Sequence, residues 1–258
     1  MADLYALVLA AHPDDAELCA GGTIASLIHQ GRGVGIIDFT LGELGSRGTV
    51  ETRQQEARRA ADILGVSVRH NLGLPDGQIE DTPTARLSVV TMLRAYRPHV
   101  VFTHPDACRH PDHVRTANLV KEAVFSAGLI KVETRDNQGN LQQPWRPNHV
   151  LQWIQSTPIL PDLVVDVSDY WAVRMEAMRA YGTQFHTGGG EGDNRLAPQS
   201  AEPETYISNP AYLDFIEARA KTWGYPIGAQ YAEGFTYAQG PLGTRNLAEL
   251  LSIERPFR

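Results

Sequence analysis

Leu4-Tyr5-Ala6-Leu7-Val8-Leu9-Ala10-Ala11-His12-Pro13-Asp14-Asp15-Ala16-Glu17 is an apolar run that ends in a histidine, a proline and adjacent carboxylates. A continuous apolar run over 4–11 is the pattern of a strand buried on both faces. Building His and two Asp into the end of such a strand is costly for stability alone. His and Asp there are suited to bind a divalent cation, and a neighbouring free carboxylate can then move protons. Gly21-Gly22 follow and open a helix predicted over 22–30, stopped by Gly31 and Gly33.

Outward from this stretch, strand and helix patterns alternate. Strands are predicted at 34–40, 66–72, 99–104, 150–155, 163–167 and 230–237. Helices are predicted at 51–64, 82–96, 112–127, 169–181 and 210–223. Such alternation with short glycine-marked turns predicts one Rossmann-like, three-layer α/β domain over residues 1–258, with a mainly parallel sheet and helices on both faces. Ligands of such sheets sit at the carboxyl ends of the strands. His12, Asp14 and Asp15 end the first strand, Glu43 to Arg47 follow the second, and Asp106 to His113 follow the fourth. Three loops thus converge on one crevice. Residues 133–147 are polar and read as a surface insertion. Residues 183–210 are rich in Gly, Pro and polar side chains, too long for an idle connection, and predict a mobile active-site loop.

The bulk composition fits an ordinary soluble enzyme. Hydrophobic residues make up 42% of 258 and charged residues 21%, enough for a sizeable core. A formal net charge of −7 without a Lys/Arg block argues against nucleic acid or an acidic membrane surface as partner. It leaves room for a small acidic ligand held by local arginines. Cys19 and Cys108 are the two cysteines, too few for a disulfide framework. The N-terminus lacks a signal-peptide pattern, and no apolar run approaches the roughly 20 residues that span a bilayer. A cytoplasmic location is the expectation.

The second constellation is Arg109-His110-Pro111-Asp112-His113. Pro111 suits a first helical turn, and two histidines three apart there can face one site. Catalytic zinc has three protein ligands and an open position. His12, Asp15 and one histidine of this pair would meet that requirement, with Cys108 as a competing soft ligand. Alone, each motif reads equally well as a capped turn with solvated side chains; their convergence on one crevice favours a site. The Gly42/Gly45/Gly48 loop lacks dinucleotide-binding or Walker spacing.

The pair Ala11-His12-Pro13-Asp14-Asp15 and His110-Pro111-Asp112-His113 resembles the LmbE-like, or PIG-L, zinc deacetylase family over roughly residues 4–237. Gly42–Thr49, Glu51-Thr52-Arg53, Asn71–Asp76, Ala123–Gly128, Tyr181–Phe185 and Tyr231–Phe235 look most like bacillithiol biosynthesis deacetylases. The resemblance implies one Zn2+ per chain at His12, Asp15 and His113. It implies Asp14 as general base, His110 stabilising the oxyanion, Arg53 contacting substrate or oxyanion, and Tyr212 as a mobile tyrosine over the site. It also implies a small-molecule N-acetylglucosamine conjugate as substrate and a homo-oligomer such as a hexamer. N-acetylglucosaminyl-malate is the expected conjugate, with an inositol conjugate of mycothiol type as the alternative. Glu43, Arg47 and Arg109 are read as further substrate contacts, the arginines as carboxylate grips. Asp112 is read as orienting His110 and keeping it charged. A metal-dependent phosphoesterase recruiting Asp106 and Asp112 is the competing chemistry, and a non-catalytic nucleotide-binding module the competing class.

Overall fold

The computed structural model describes residues 3–185 and 202–240. Seven strands form one sheet in the order β3-β2-β1-β4-β5-β7-β6: β1 Ala6–Ala10, β2 Val34–Asp38, β3 Val68–Asn71, β4 Val100–Thr103, β5 His149–Trp153, β6 Leu163–Asp166 and β7 Ala232–Tyr237. The first five in chain order run parallel to one another, while β7 is antiparallel to β5 and β6. The mainly parallel sheet is therefore as the alternation predicts. The helices are α1 Asp15–His29, α2 Val50–Leu64, α3 Pro83–Tyr96, α4 Pro111–Ala127, α5 Trp171–Arg179 and α6 Pro210–Gly224.

The unbroken apolar run of β1 follows from burial on both sides. Ala6, Val8 and Ala10 belong to one core with residues of α1, α2, α5 and α6. Leu7, Leu9 and Ala11 belong to a second core with residues of α3 and α4. A strand covered on both faces has no solvent side to carry polar residues. Among the described residues no helix is long and apolar enough to cross a membrane.

Helix α1 differs from its predicted start. It begins at Asp15, immediately after the motif, and Gly21-Gly22 lie in its middle. Glycines inside a helix normally weaken it; here packing requires them. A Cβ on Gly22 would lie 2.6 Å from the Val167 side chain, and one on Gly21 would lie 3.0 Å from Arg174. Glu233 of β7 accepts the Gly22 and Thr23 N–H groups at 2.9 and 2.8 Å, and pairs with Arg174 at 2.9 Å. Arg174 also donates to the Leu18 carbonyl at 2.6 Å. Lower in the same helix, Glu17 meets Arg69, which grips Asp38 through two hydrogen bonds of 2.8 and 3.0 Å. The helix that starts at the motif is thus fastened by buried charges along its length.

The 133–147 segment is an ordered coil. Arg94 of α3 donates to the carbonyls of Ala127, Leu129 and Val132 and to Thr134, and Trp145 donates to the Pro98 carbonyl at 2.9 Å. Pro98 precedes β4, so this segment sits at the amino ends of the strands, away from the predicted crevice. Of the predicted loop over 183–210, residues 186–201 lie outside the described residues.

Candidate metal centre and active site

Asp14 caps α1 with φ 117° and ψ −29°. A non-glycine residue in that region costs about 1–3 kcal/mol and persists only where its surroundings over-determine it. Arg53 of α2 supplies the constraint. Its Nη1 donates to Asp14 Oδ2 and to the Pro13 carbonyl, both at 2.8 Å. Gly42 packs over this guanidinium at φ 69°, a left-handed conformation that favours glycine. Burial pushes the Asp14 carboxyl up to about 7, against the pull of Arg53 and with Asp15 adding to the rise. The bend turns Asp14 into the cavity while Asp15, one residue on, enters the helix.

Asp15 is the hub of the cluster. Its Oδ2 accepts the His12 backbone N–H at 3.0 Å, and its Oδ1 accepts the Gln155 amide at 2.9 Å. Three imidazoles surround the same carboxylate: His12 Nδ1 at 3.2 Å, His104 Nε2 at 3.3 Å and His113 Nε2 at 3.4 Å. The other nitrogen of His12 faces Asp76 Oδ1 at 3.1 Å and Asp112 Oδ2 at 3.5 Å. Three sets of possible ligand atoms each lie within 4.8 Å of one another: His12/His110/His113, Asp15/His104/His113 and His12/Asp76/Asp112. His12, Asp15 and His113 each belong to at least one of these interlocking sets, and His113 joins the set that holds His12 to the set that holds Asp15; no single set holds all three. Cys108 belongs to none of them.

Charge explains the convergence. Burial opposes charge on His12, but hydrogen bonds to Asp112, Asp15 and Asp76 hold its pKa well above the ordinary value. Burial likewise raises the Asp15 carboxyl, and His113 and His104 hold it well below the usual range. His113 itself is depressed by burial, against the pull of Asp15. The donors from the His12 N–H and Gln155 favour the Asp15 carboxylate whatever the histidines carry. Three carboxylates around one imidazole call for positive charge between them, as a proton on His12 or as a cation. Two imidazoles and a carboxylate are also a donor set that zinc accepts. The residues fit a divalent metal.

His110 caps α4. Its Nδ1 accepts the Asp112 N–H at 3.3 Å, so its proton lies on Nε2. Burial lowers its pKa, with His12 adding to the fall, and the ring is a neutral donor, in contrast to the expected imidazolium. The Asp112 carboxylate does not turn to His110. It accepts the Gly77 N–H at 2.6 Å, pairs with Arg115 at 3.2 Å and faces His12. Burial raises the Asp112 carboxyl, yet His12 and the Gly77 N–H hold it at about 2. Asp112 orients His12 rather than His110.

A cavity of about 390 Å³ opens over the cluster, lined by His12, Asp14, Asp15, Arg53, Arg109, His110 and His113 among others. Glu43 and Arg47 stand beside it as loop braces: Glu43 accepts the Asp76 N–H at 2.8 Å, and Arg47 donates to the Thr183 carbonyl at 2.7 Å. Tyr212 does not line it. It is buried in the core next to Phe185, and Tyr206 stands edge-on to it, 5.4 Å away, on the cavity side. Arg109 stacks over Tyr206 at 4.6 Å and makes no ion pair among the described residues. Asp106 turns to Lys121 and Gln152 at 2.6 and 2.8 Å, so it brings no carboxylate for a second metal. A larger cavity of about 640 Å³ lies at the amino ends of β4 and β5, lined by Tyr5, His99, His149 and Tyr237, and contains no member of the cluster.

Four residues of the cluster and its cavity escaped the sequence reading. His104 ends an apolar strand as His12 does, and that parallel was a usable signal. Asp76 lies in Pro75-Asp76-Gly77, which reads as a turn. Gln155 and Tyr206 carry no local signal.

The family described as PIG-L, GlcNAc-PI de-N-acetylase, matches residues 7–124. Over 246 residues the chain is 29% identical to the diacetylchitobiose deacetylase of Thermococcus kodakarensis, spanning 91% of this chain and 83% of that protein. It is 33% identical over 226 residues to the 1D-myo-inositol 2-acetamido-2-deoxy-alpha-D-glucopyranoside deacetylase of Mycobacterium sp. (strain KMS), spanning 69% of this chain and 73% of that protein. Among solved structures, a conserved protein of Thermus thermophilus matches with a TM-score of 0.77 at 35% identity, over 94% of this chain and 98% of that one.

Proposed function

The chain belongs to the PIG-L family, and from that premise we propose that it hydrolyses the acetamide of an N-acetylglucosamine conjugate with a divalent cation, zinc, held by His12, Asp15 and His113. The observation that carries this reading is the separation of labour at Asp14-Asp15. Asp15 is surrounded by imidazoles, whereas its neighbour Asp14 bends away, pairs among the described residues with Arg53 alone and faces the cavity.

Hydrolysis adds water across the acyl C–N bond and releases acetate and a free amine. A cation bound by the cluster supplies water of lowered pKa and polarises the amide carbonyl. Asp14 accepts the proton of the attacking water, and its buried, near-neutral carboxyl suits a base working near pH 7. The same carboxyl then delivers that proton to the departing nitrogen. His110, with its proton fixed on Nε2, donates to the oxygen that gains charge at the acyl carbon. Arg53 keeps Asp14 in its bent conformation through Nη1, and its other N–H groups stand at the cavity wall to contact the substrate or the developing oxyanion.

Arg109 is the grip for an acidic aglycone. It lines the cavity, rests on Tyr206 and has no carboxylate partner among the described residues, in a chain of net charge −7. An Arg fork can take a carboxylate through two parallel hydrogen bonds. We take N-acetylglucosaminyl-malate as the preferred conjugate on this ground and on the sequence resemblance. The inositol and chitobiose conjugates named for the relatives are the alternatives, and neither offers a carboxylate. A charge-assisted hydrogen bond contributes about 1.5–3 kcal/mol. Arg109→Ala is therefore expected to lower kcat/KM for the malyl conjugate by about 10- to 100-fold, and for the inositol conjugate by less than about threefold. Equal losses on both substrates, or a wild-type preference for the inositol conjugate, would remove the malate assignment and leave the deacetylase reading standing.

A further inference from the structure

Cys108 lies on the far side of His113 from the metal-ligand sets. Its Sγ is 3.1 Å from His113 Nδ1 and 3.1 Å from Ser156 Oγ. Ser156 Oγ in turn accepts the Arg109 backbone N–H at 3.0 Å. His113 is buried, and its other nitrogen, Nε2, faces Asp15. The β4–α4 loop, the first turn of α4 and the end of β5 are thereby tied at one sulfur atom.

We propose that Cys108 is a positioning residue that sets the tautomer of His113 for metal binding through Nε2, with Ser156 as its backstop. This inference rests on the metal-site reading above. Nε2 can offer its lone pair to a cation only when the ring proton sits on Nδ1. In that form Nδ1–H donates to the sulfur, and the thiol S–H donates onward to Ser156 Oγ. The Arg109 N–H approaches the same oxygen, so that oxygen is held as an acceptor and the thiol proton is drawn toward it. Without a cation the chain of bonds runs the other way: Ser156 O–H donates to sulfur, S–H donates to Nδ1, and Nε2–H faces Asp15. A thiol serves both directions because it is donor and acceptor at once. An alanine would leave Nδ1 of the buried His113 without this partner, and the ring would lose the bond that fixes both its tautomer and its plane.

The test is metal affinity, measured by competition with a chelating dye on full-length protein, for wild type, Cys108→Ala and Cys108→Ser. Outer partners of metal-binding histidines are typically worth 10- to 100-fold in affinity. Cys108→Ala is expected to bind zinc about 10- to 100-fold more weakly. Cys108→Ser, which keeps a donor and an acceptor, is expected to stay within about threefold of wild type. The cobalt(II) form of the wild type should lack a thiolate-to-metal charge-transfer band. Unchanged affinity in Cys108→Ala, or equal weakening in Cys108→Ser, would overturn the proposal. So would a thiolate band, which would make Cys108 a ligand. Wild type that binds no metal would instead refute the metal-site reading itself.

Discussion

His113→Ala is expected to lose zinc to a degree that no other single-ligand change in α4 matches. His113 is the one α4 histidine that lies in two of the three interlocking ligand sets and also contacts Asp15 directly, at 3.4 Å. His110 lies in one set and caps the helix through its backbone-bonded Nδ1. Removing a protein ligand from a three-ligand site leaves a pair, which holds a divalent ion far more weakly. The loss should exceed the roughly 100-fold upper range of outer-partner changes. Metal content after gel filtration should fall below one-tenth of wild type at His113→Ala, while His110→Ala retains most of its metal and loses turnover. Full retention in His113→Ala, with loss in His110→Ala, would exchange the roles of the two histidines.

Asp14→Asn is expected to keep its metal and its fold and to lose about 10²–10⁴ in kcat, the range of a positioned general base. The carboxamide oxygen still accepts from Arg53, so the bent backbone at Asp14 retains its anchor. What disappears is the proton acceptor. The substitution therefore separates chemistry from ligation: kcat falls, KM moves little, and zinc stoichiometry stays at one. Near-wild-type kcat in Asp14→Asn would assign the proton to another group, and loss of zinc would place Asp14 among the ligands.

The strand pattern was legible because burial writes itself into composition. β1 reads as one apolar block because its alternate residues enter two different cores, and the buried strands β2 and β4 read as apolar runs for the same reason. The direction of β6 and β7 was not legible. Their pairing joins segments some seventy residues apart, and no turn signal links them. Gly21-Gly22 misled for a physical reason: glycine marks a helix boundary when its backbone is exposed, but here it makes room for Val167 and Arg174. At the site, His12, Asp14, Asp15 and His113 were readable because His-Pro-Asp-Asp follows an apolar strand and His-Pro-Asp-His opens a helix. Asp76 and Gln155 were not, since they reach the cluster from 64 and 140 residues away. The Arg53–Asp14 pair shows the limit most plainly. An arginine on a charged helix can grip a substrate or a neighbour, and only the fold reveals that Asp14 has taken it.

The central claim is hydrolytic removal of an acetyl group by a metal-loaded centre. It is tested most directly by measuring acetate and free amine together, from N-acetylglucosaminyl-malate and from free N-acetylglucosamine, with zinc-loaded, chelator-stripped and zinc-restored protein. Equal amounts of acetate and amine, abolished by stripping and recovered with zinc, are the expected result. No amine from any N-acetylglucosamine conjugate, or full activity in the stripped protein, would contradict it.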